Sequence, residues 1–214
     1  MDTSLADLRK EYTQRSLDRA DVLSDPVAQF GRWFTEAQAA QIYEPNAMHL
    51  ATVSANGHPT ARVVLLKGIE EGCFLLYTNY ESQKGQDIRQ NPYVALTFFW
   101  PELERQVRIE GEASKIGEER STAYFHSRPR GSQLGAWVSP QSQVIRDRAL
   151  LDGRQRELQE RFDDESIPRP AYWGGYAVHP HRIEFWQGRP SRLHDRLQYQ
   201  RQADDTWVIE RLAP

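Results

Sequence analysis

The strongest constraint on this chain is a change of hydrophobic period at Met48. Upstream, Phe30, Trp33, Phe34 and Ala37 recur at helical spacing and predict an amphipathic helix over 26–43. Downstream, short apolar runs alternate with turn residues. Runs at 48–54 and 60–67 flank Asn56-Gly57, a pair that accepts the positive φ a tight hairpin needs. Further strands are expected at 73–78, 93–100 and 106–113, with a helix after the first that Ser82 caps and Asn91-Pro92 ends. Pro129 stops a helix over 117–127, and 144–162 forms another with a thin apolar stripe through Leu151, Leu158 and Phe162. Four strand-like runs follow, at 172–178, 183–187, 193–201 and 207–212. About nine strands with helices set between hairpins predict an α+β fold around an antiparallel barrel. A short helix over 4–12 and a mixed-charge connector precede this pattern. Residues 1–25 therefore read as a mobile N-terminal segment and 26–214 as one domain.

Composition narrows the function. With 27 Lys and Arg against 30 Asp and Glu, the formal charge is -3, which offers no global attraction to nucleic acid or an anionic membrane. Anion binding must come from local basic clusters. Cys73 is the single cysteine, which excludes an intrachain disulfide and a multi-cysteine metal site; its apolar neighbours predict a buried structural thiol. His179-Pro180-His181 resembles a metal-binding pair but has no carboxylate or cysteine partner at a recognisable spacing. No run approaches the ~20 apolar residues of a membrane span. Residues 1–10 are too mixed in charge for a signal peptide, so a cytoplasmic location is expected.

Four clusters hold cations where a phosphate would be welcome. If Arg192-Leu193-His194-Asp195-Arg196 is a strand, Arg192, His194 and Arg196 share a face and repel one another unless an anion or aromatic ligand lies between them. A solvated edge strand explains the same residues equally well. Tyr124, Arg128 and Ser132 bracket the break at Pro129 and supply phenol, guanidinium and hydroxyl donors, with an exposed helix end as the alternative. Arg62 and Lys67 bound a β-branched strand, a pattern that solvated strand ends also produce. Lys84 stands in the first turn of its helix, where a cation opposes the helix dipole unless an anion is bound, and Gln141-Ser142 adds donors ahead of the long helix. The chain has no Gly-rich phosphate loop, no Gly-x-Ser-x-Gly elbow and no His-Glu-x-x-His. A phosphorylated cofactor together with a phosphorylated substrate accounts for the number of clusters.

RVVLLK at 62–67, ERQV at 104–107, YFHSRPR at 124–130, SQLGAWVS at 132–139, FWQG at 185–188 and RLHDR at 192–196 together resemble the pyridoxine/pyridoxamine 5′-phosphate oxidase family. The likeness runs from Leu8 to the last residues. It implies a split β-barrel homodimer with FMN at the subunit interface. It implies FMN contacts from Arg62, Val63, Val64, Leu65, Leu66, Lys67, Tyr77, Thr78, Lys84, Gln106, Gln141, Ser142, Trp186 and Arg196. By the same resemblance Lys67, Tyr124, Arg128 and Ser132 hold the substrate phosphate, and Arg192 and His194 are the catalytic pair facing the pyridine ring and its C4′ group. Arg9 and Tyr12 fall in a segment that folds over substrate.

The implied reaction oxidises pyridoxine 5′-phosphate or pyridoxamine 5′-phosphate to pyridoxal 5′-phosphate. Hydride passes to FMN, O2 reoxidises the flavin to give H2O2, and the amine also releases ammonia. Adjacent arginines should depress the pKa of His194, so positioning ranks above proton abstraction for that residue. Many family members carry Arg immediately before the lysine at Lys84; here it is Gln83, and Gln83→Arg is expected to tighten FMN. Two rival readings are a flavin reductase on the same barrel and a non-catalytic carrier of FMN or pyridoxal phosphate. The first needs no second phosphate site, and the second needs neither Arg192 nor His194.

Overall fold

The structure, a computed structural model, describes Ser4, Leu5, Leu8 and residues 11–163 and 165–214. Helix α1 (Pro26–Ala39) starts on an Asp25 cap with Pro26 at its first position and buries Phe30, Trp33 and Ala37. It stops short of 43 because the chain turns there through positive φ at Gln41 and Glu44. Nine strands follow in the described residues: β1 (Ala47–Val53), β2 (Pro59–Leu65), β3 (Gly68–Glu70), β4 (Cys73–Asn79), β5 (Tyr93–Trp100), β6 (Arg105–Lys115), β7 (Trp173–Gln187), β8 (Asp195–Arg201) and β9 (Trp207–Leu212). They form one antiparallel sheet in the order β2-β1-β5-β6-β7-β4-β3, with β8 and β9 added beside β7.

The two ends of that path are consecutive in sequence. Leu66 N–H donates to Asn46 O, on the β1 side, and Lys67 N–H donates to Leu75 O in β4. The chain thus changes partners within one residue step and curls the sheet onto itself, as the α+β barrel reading expected. Phe30, Trp33, Leu50, Phe74, Leu96, Phe98, Val107 and Phe185 fill the core. Cys73 is buried, and burial pushes its thiol pKa up, in line with a structural role. No helix among the described residues is long and apolar enough to cross a membrane.

Several local expectations change. Only Gly57 takes positive φ in the first hairpin, where Gly57 N–H donates to Ser54 O and Ser54 N–H to His58 O; this is a three-residue loop, not a two-residue turn. The runs at 172–178 and 183–187 are a single strand that crosses Pro180. The crossing is possible because β7 itself bulges beside the proline: the register steps from Glu110–Arg182 to Gly111–Pro180 and leaves His181 as the extra residue, while Gly111 on β6 allows the close approach, since a Cβ there would lie 2.4 Å from His179 O. β7 can then pair β6 along its length, β4 through its first half and β8 through its second. Ser82 caps α2 (Gln83–Gln90) as expected. Pro129 ends α3 (Glu118–Ser127) but also opens α4 (Arg130–Val138), a helix the sequence pattern had not suggested. The long helix, α5 (Arg148–Phe162), begins on an Asp147 cap rather than at 144. Of the helix expected over 4–12, residues 6, 7, 9 and 10 lie outside the described residues, and Leu8, Glu11 and Tyr12 are not helical.

Candidate active site

A cavity of about 540 Å³ is lined by Arg62, Val63, Val64, Leu65 and Lys67 from β2 and its extension, and by Tyr77, Thr78 and Asn79 from β4. Lys84 of α2, Tyr124, Arg128, Pro129 and Ser132 from the α3–α4 corner, Gln141 and Trp173 complete it. Consecutive residues of β2 line it because, among the described residues, β2 pairs with β1 alone and its other edge is turned to the cavity. Four of the lining residues are cationic and none is acidic.

Arg62 has Asp87 3.9 Å behind it, whereas Lys67, Lys84 and Arg128 make no ion pair among the described residues. Burial, with the Arg62 charge second, drops Lys84 to about 8; its Nζ donates to Gln141 Oε1 at 2.9 Å and to the capping Ser82 Oγ at 3.2 Å. Burial lowers the pKa of Arg128 as well, with Tyr124 opposing. Arg128 Nη2 donates to Ser132 O at 2.8 Å, while its Nη1 is buried with no hydrogen-bond partner among the described residues. The guanidinium lies 4.5 Å from the Trp173 ring, and Tyr77 stacks on Tyr124 at 3.8 Å. The close approach of β7 to Tyr77 requires glycine: a Cβ on Gly175 would meet the Tyr77 ring at 2.8 Å. Cations gathered on a lining without an acid, with Lys84 and Arg128 partly desolvated, are suited to a polyanion.

The remaining expected site residues gather elsewhere. Gln106, Trp186 and Arg196 stand opposite one another across β6, β7 and β8, and directly opposed residues share a face. Tyr12 and His194 pack on Trp186 with ring centroids 5.7 and 4.6 Å away. Arg192, His194 and Arg196 do not share a strand face, contrary to expectation. Pro190–Arg192 is a 3₁₀ turn with positive φ at Ser191 and Arg192, and β8 begins only at Asp195. Arg196 donates to both Glu184 oxygens at 2.8 and 3.0 Å. His194 Nδ1 accepts the Arg189 backbone N–H at 3.1 Å, and burial followed by the Arg192 charge lowers its pKa. The neutral ring with Nδ1 engaged carries its proton on Nε2, so it is a donor there and not a base.

Residues 34–162 match the family model described as pyridoxamine 5′-phosphate oxidase, and residues 173–214 match that of the pyridoxine 5′-phosphate oxidase C-terminal dimerisation region. The chain belongs to the pyridoxine/pyridoxamine 5′-phosphate oxidase family. It is 57% identical over 212 residues to the pyridoxine/pyridoxamine 5′-phosphate oxidase of Acaryochloris marina, covering 99% of this chain and 96% of that one. Identity to the enzyme of the same name from Burkholderia multivorans is 58% over 214 residues, covering 99% of this chain and 100% of that one. Among solved structures, PhzG from Burkholderia lata, in complex with tetrahydrophenazine-1-carboxylic acid, superposes with a TM-score of 0.88 at 28% identity, covering 96% of this chain and all of that one. The family is one of FMN-dependent oxidases on an FMN-binding split barrel, which is the architecture seen here.

Of the residues the resemblance singled out, Arg62, Val63, Val64, Leu65, Lys67, Tyr77, Thr78, Lys84, Tyr124, Arg128, Ser132 and Gln141 line the one cavity. Leu66 does not: its side chain is in the core. Ser142 is exposed at a positive-φ turn beside Gln141, and Arg9 lies outside the described residues. Tyr12, Gln106, Trp186, Arg192, His194 and Arg196 form the second group. Asn79 and Trp173 line the cavity without having been foreseen; the glycines after Trp173 were the available signal for a close approach. Gln83 is absent from the lining and gives its amide N–H to Asp87 Oδ1 at 2.8 Å. An i,i+4 partner on its own helix thus holds the side chain that stands where many family members carry arginine.

Proposed function

We propose that this chain oxidises pyridoxine 5′-phosphate and pyridoxamine 5′-phosphate to pyridoxal 5′-phosphate in the cytoplasm, as a homodimer. The observation that carries the reading is Arg128, whose buried Nη1 has no partner in a cavity lined by four cations and no acid. A phosphate satisfies it; a buried unpaired guanidinium N–H is otherwise costly. The residues present suit FMN. The open edge of β2 offers backbone groups to a flavin ring, and Arg62, Lys84, Gln141 and Ser142 would hold its phosphate. Bound FMN would supply the redox capacity to accept a hydride from C4′ and pass the electrons to O2 as H2O2; with the amine substrate, water would hydrolyse the resulting imine and release ammonia.

Lys67, Tyr124, Arg128 and Ser132 would clamp the substrate phosphate, which fixes the distant C4′ group by remote binding energy. Trp186, Arg192, His194 and Arg196 lie in the region matched to a dimerisation model, and a second copy would bring them to the cavity. Arg192 would steady negative charge at the C4′ substituent. His194, a donor through Nε2, would orient that substituent, and Tyr12 with the segment before it, Arg9 included, would cover the ring.

The test is spectroscopic. The purified protein should be yellow and release about one FMN per chain. Without oxygen, pyridoxine 5′-phosphate should bleach it, whereas unphosphorylated pyridoxine and tetrahydrophenazine-1-carboxylic acid should not. A colourless protein that FMN cannot reconstitute overturns the reading.

A further inference from the structure

Behind the cavity, Asp87 of α2 is 2% exposed and ringed by donors. Its Oδ2 accepts from Thr52 Oγ1 at 2.7 Å and Thr60 Oγ1 at 3.1 Å, and its Oδ1 accepts from the Gln83 amide at 2.8 Å. Burial opposes ionisation, yet these hydrogen bonds and the Arg62 charge together hold its pKa below the usual carboxylate range. An ionised carboxylate only accepts. Both threonine hydroxyls must therefore aim their protons at it and turn their lone pairs outward. Arg62 meets those lone pairs: Nη1 donates to Thr52 Oγ1 and Nη2 to Thr60 Oγ1, each at 2.7 Å. Its guanidinium is 3.9 Å from Asp87, so the hydroxyls, not a direct bond, connect the two. Nε of Arg62 makes no hydrogen bond among the described residues, and Arg62 lines the cavity.

We propose that Asp87 is a positioning residue for the FMN phosphate, acting through Thr52 and Thr60 to fix the direction in which Arg62 offers its remaining N–H groups. The proposal rests on the FMN reading above and adds residues that reach no ligand. It also gives Gln83 a role in this chain, as the clamp on the far oxygen of Asp87. The two hydroxyls are 3.1 Å apart, so without the carboxylate they can pair with each other and release Arg62.

Charge and positioning make opposite demands here, which sharpens the test. Coulomb repulsion alone says that removing a carboxylate near a phosphate tightens binding. Positioning says that it loosens. Apo-protein should be titrated with FMN and, separately, with riboflavin, which lacks the phosphate. Asp87→Ala is expected to weaken FMN about tenfold, the worth of one charge-assisted hydrogen bond, and to leave riboflavin within about twofold. Asp87→Asn keeps an oxygen for the hydroxyls and should restore most of the FMN affinity. Thr52→Val, nearly isosteric, provides the same test if the alanine variant does not fold, with about a three- to tenfold loss for FMN alone. Equal losses for FMN and riboflavin would make Asp87 merely structural, and FMN affinity unchanged or tighter in Asp87→Ala or Thr52→Val would make it a bystander charge; either overturns the proposal. A parent protein that binds no FMN overturns the underlying reading and this proposal with it, whereas a parent that binds FMN beside unaffected variants overturns this proposal alone.

Discussion

Four cations face one another across the cavity between β2, β4 and α2 with no carboxylate on its lining, whereas Arg189, Arg196 and Arg211 around β8 each face an acid. Arg196 is 2.8 Å from Glu184, and Arg211 and Arg189 are 2.8 and 3.4 Å from Asp195. Asp195 also accepts the Leu17 N–H, so this second set ties the N-terminal approach to the barrel. The contrast separates two uses of arginine. Where the counter-charge is built in, the fold itself fixes the guanidinium; where it is missing and the group is partly buried, as at Arg128, a ligand must bring it.

The largest expected effect breaks the first region from the substrate side. Pyridoxine without its phosphate forfeits the contacts of Lys67 and Arg128, about 1.5–3 kcal/mol each. Its kcat/KM should fall by roughly 10²–10⁴ relative to pyridoxine 5′-phosphate in steady-state assays. Comparable turnover of the two would mean that the unpartnered Arg128 Nη1 awaits something else. The next experiment sets the two regions side by side. Arg196→Met strips a partner from Glu184, whose side chain is 6% exposed, and should lower unfolding stability by about 1–3 kcal/mol in urea titrations. Arg128→Met, which breaks no ion pair, should leave stability nearly unchanged while lowering kcat/KM about 10–100-fold. Equal stability losses would erase the distinction drawn here.

Lys84 carries the comparison into pH. Burial and then Arg62 depress it to about 8, so below that pH the ammonium is ready for an anion. Above it, binding must also take up a proton, and FMN affinity should weaken by up to about tenfold per pH unit. Lys84→Met should flatten that slope. In the apo-protein the unfolded chain keeps the proton up to the ordinary lysine range near 10.5, so the stability linked to Lys84 is fully present above that value and is lost as pH falls through about 8. The smallest effect is expected at Gln83. Because Asp87 holds its side chain, an arginine there meets the carboxylate first, and FMN affinity at low salt should change by less than about threefold. A larger gain would mean that the new guanidinium does reach the phosphate.

The barrel was legible because its signals are local. Period-two runs, the Ser82 cap and the Asn56-Gly57 turn act over a few residues, and the strands at Tyr93–Trp100 and Trp207–Leu212 fall where alternation put them. The misses cluster at prolines and turns. Pro180 reads as a strand break, but β7 continues past it with one extra residue at His181, and the partner that allows this close approach, Gly111 of β6, lies some 70 residues upstream in the chain. Pro129 ends one helix and starts another, and the alternation through Arg192-Leu193-His194 yields to a 3₁₀ turn at Pro190.

Residue types and order alone determined the family likeness, the sheet-rich architecture and the existence of four basic clusters. Tertiary structure alone decided which clusters still lack counter-charge. Asp87 reaches Arg62 from another element, and Glu184 reaches Arg196 across a strand pair, at separations of 25 and 12 residues. Coulomb energy and desolvation depend on distance and burial in three dimensions, and neither is set by position along the chain.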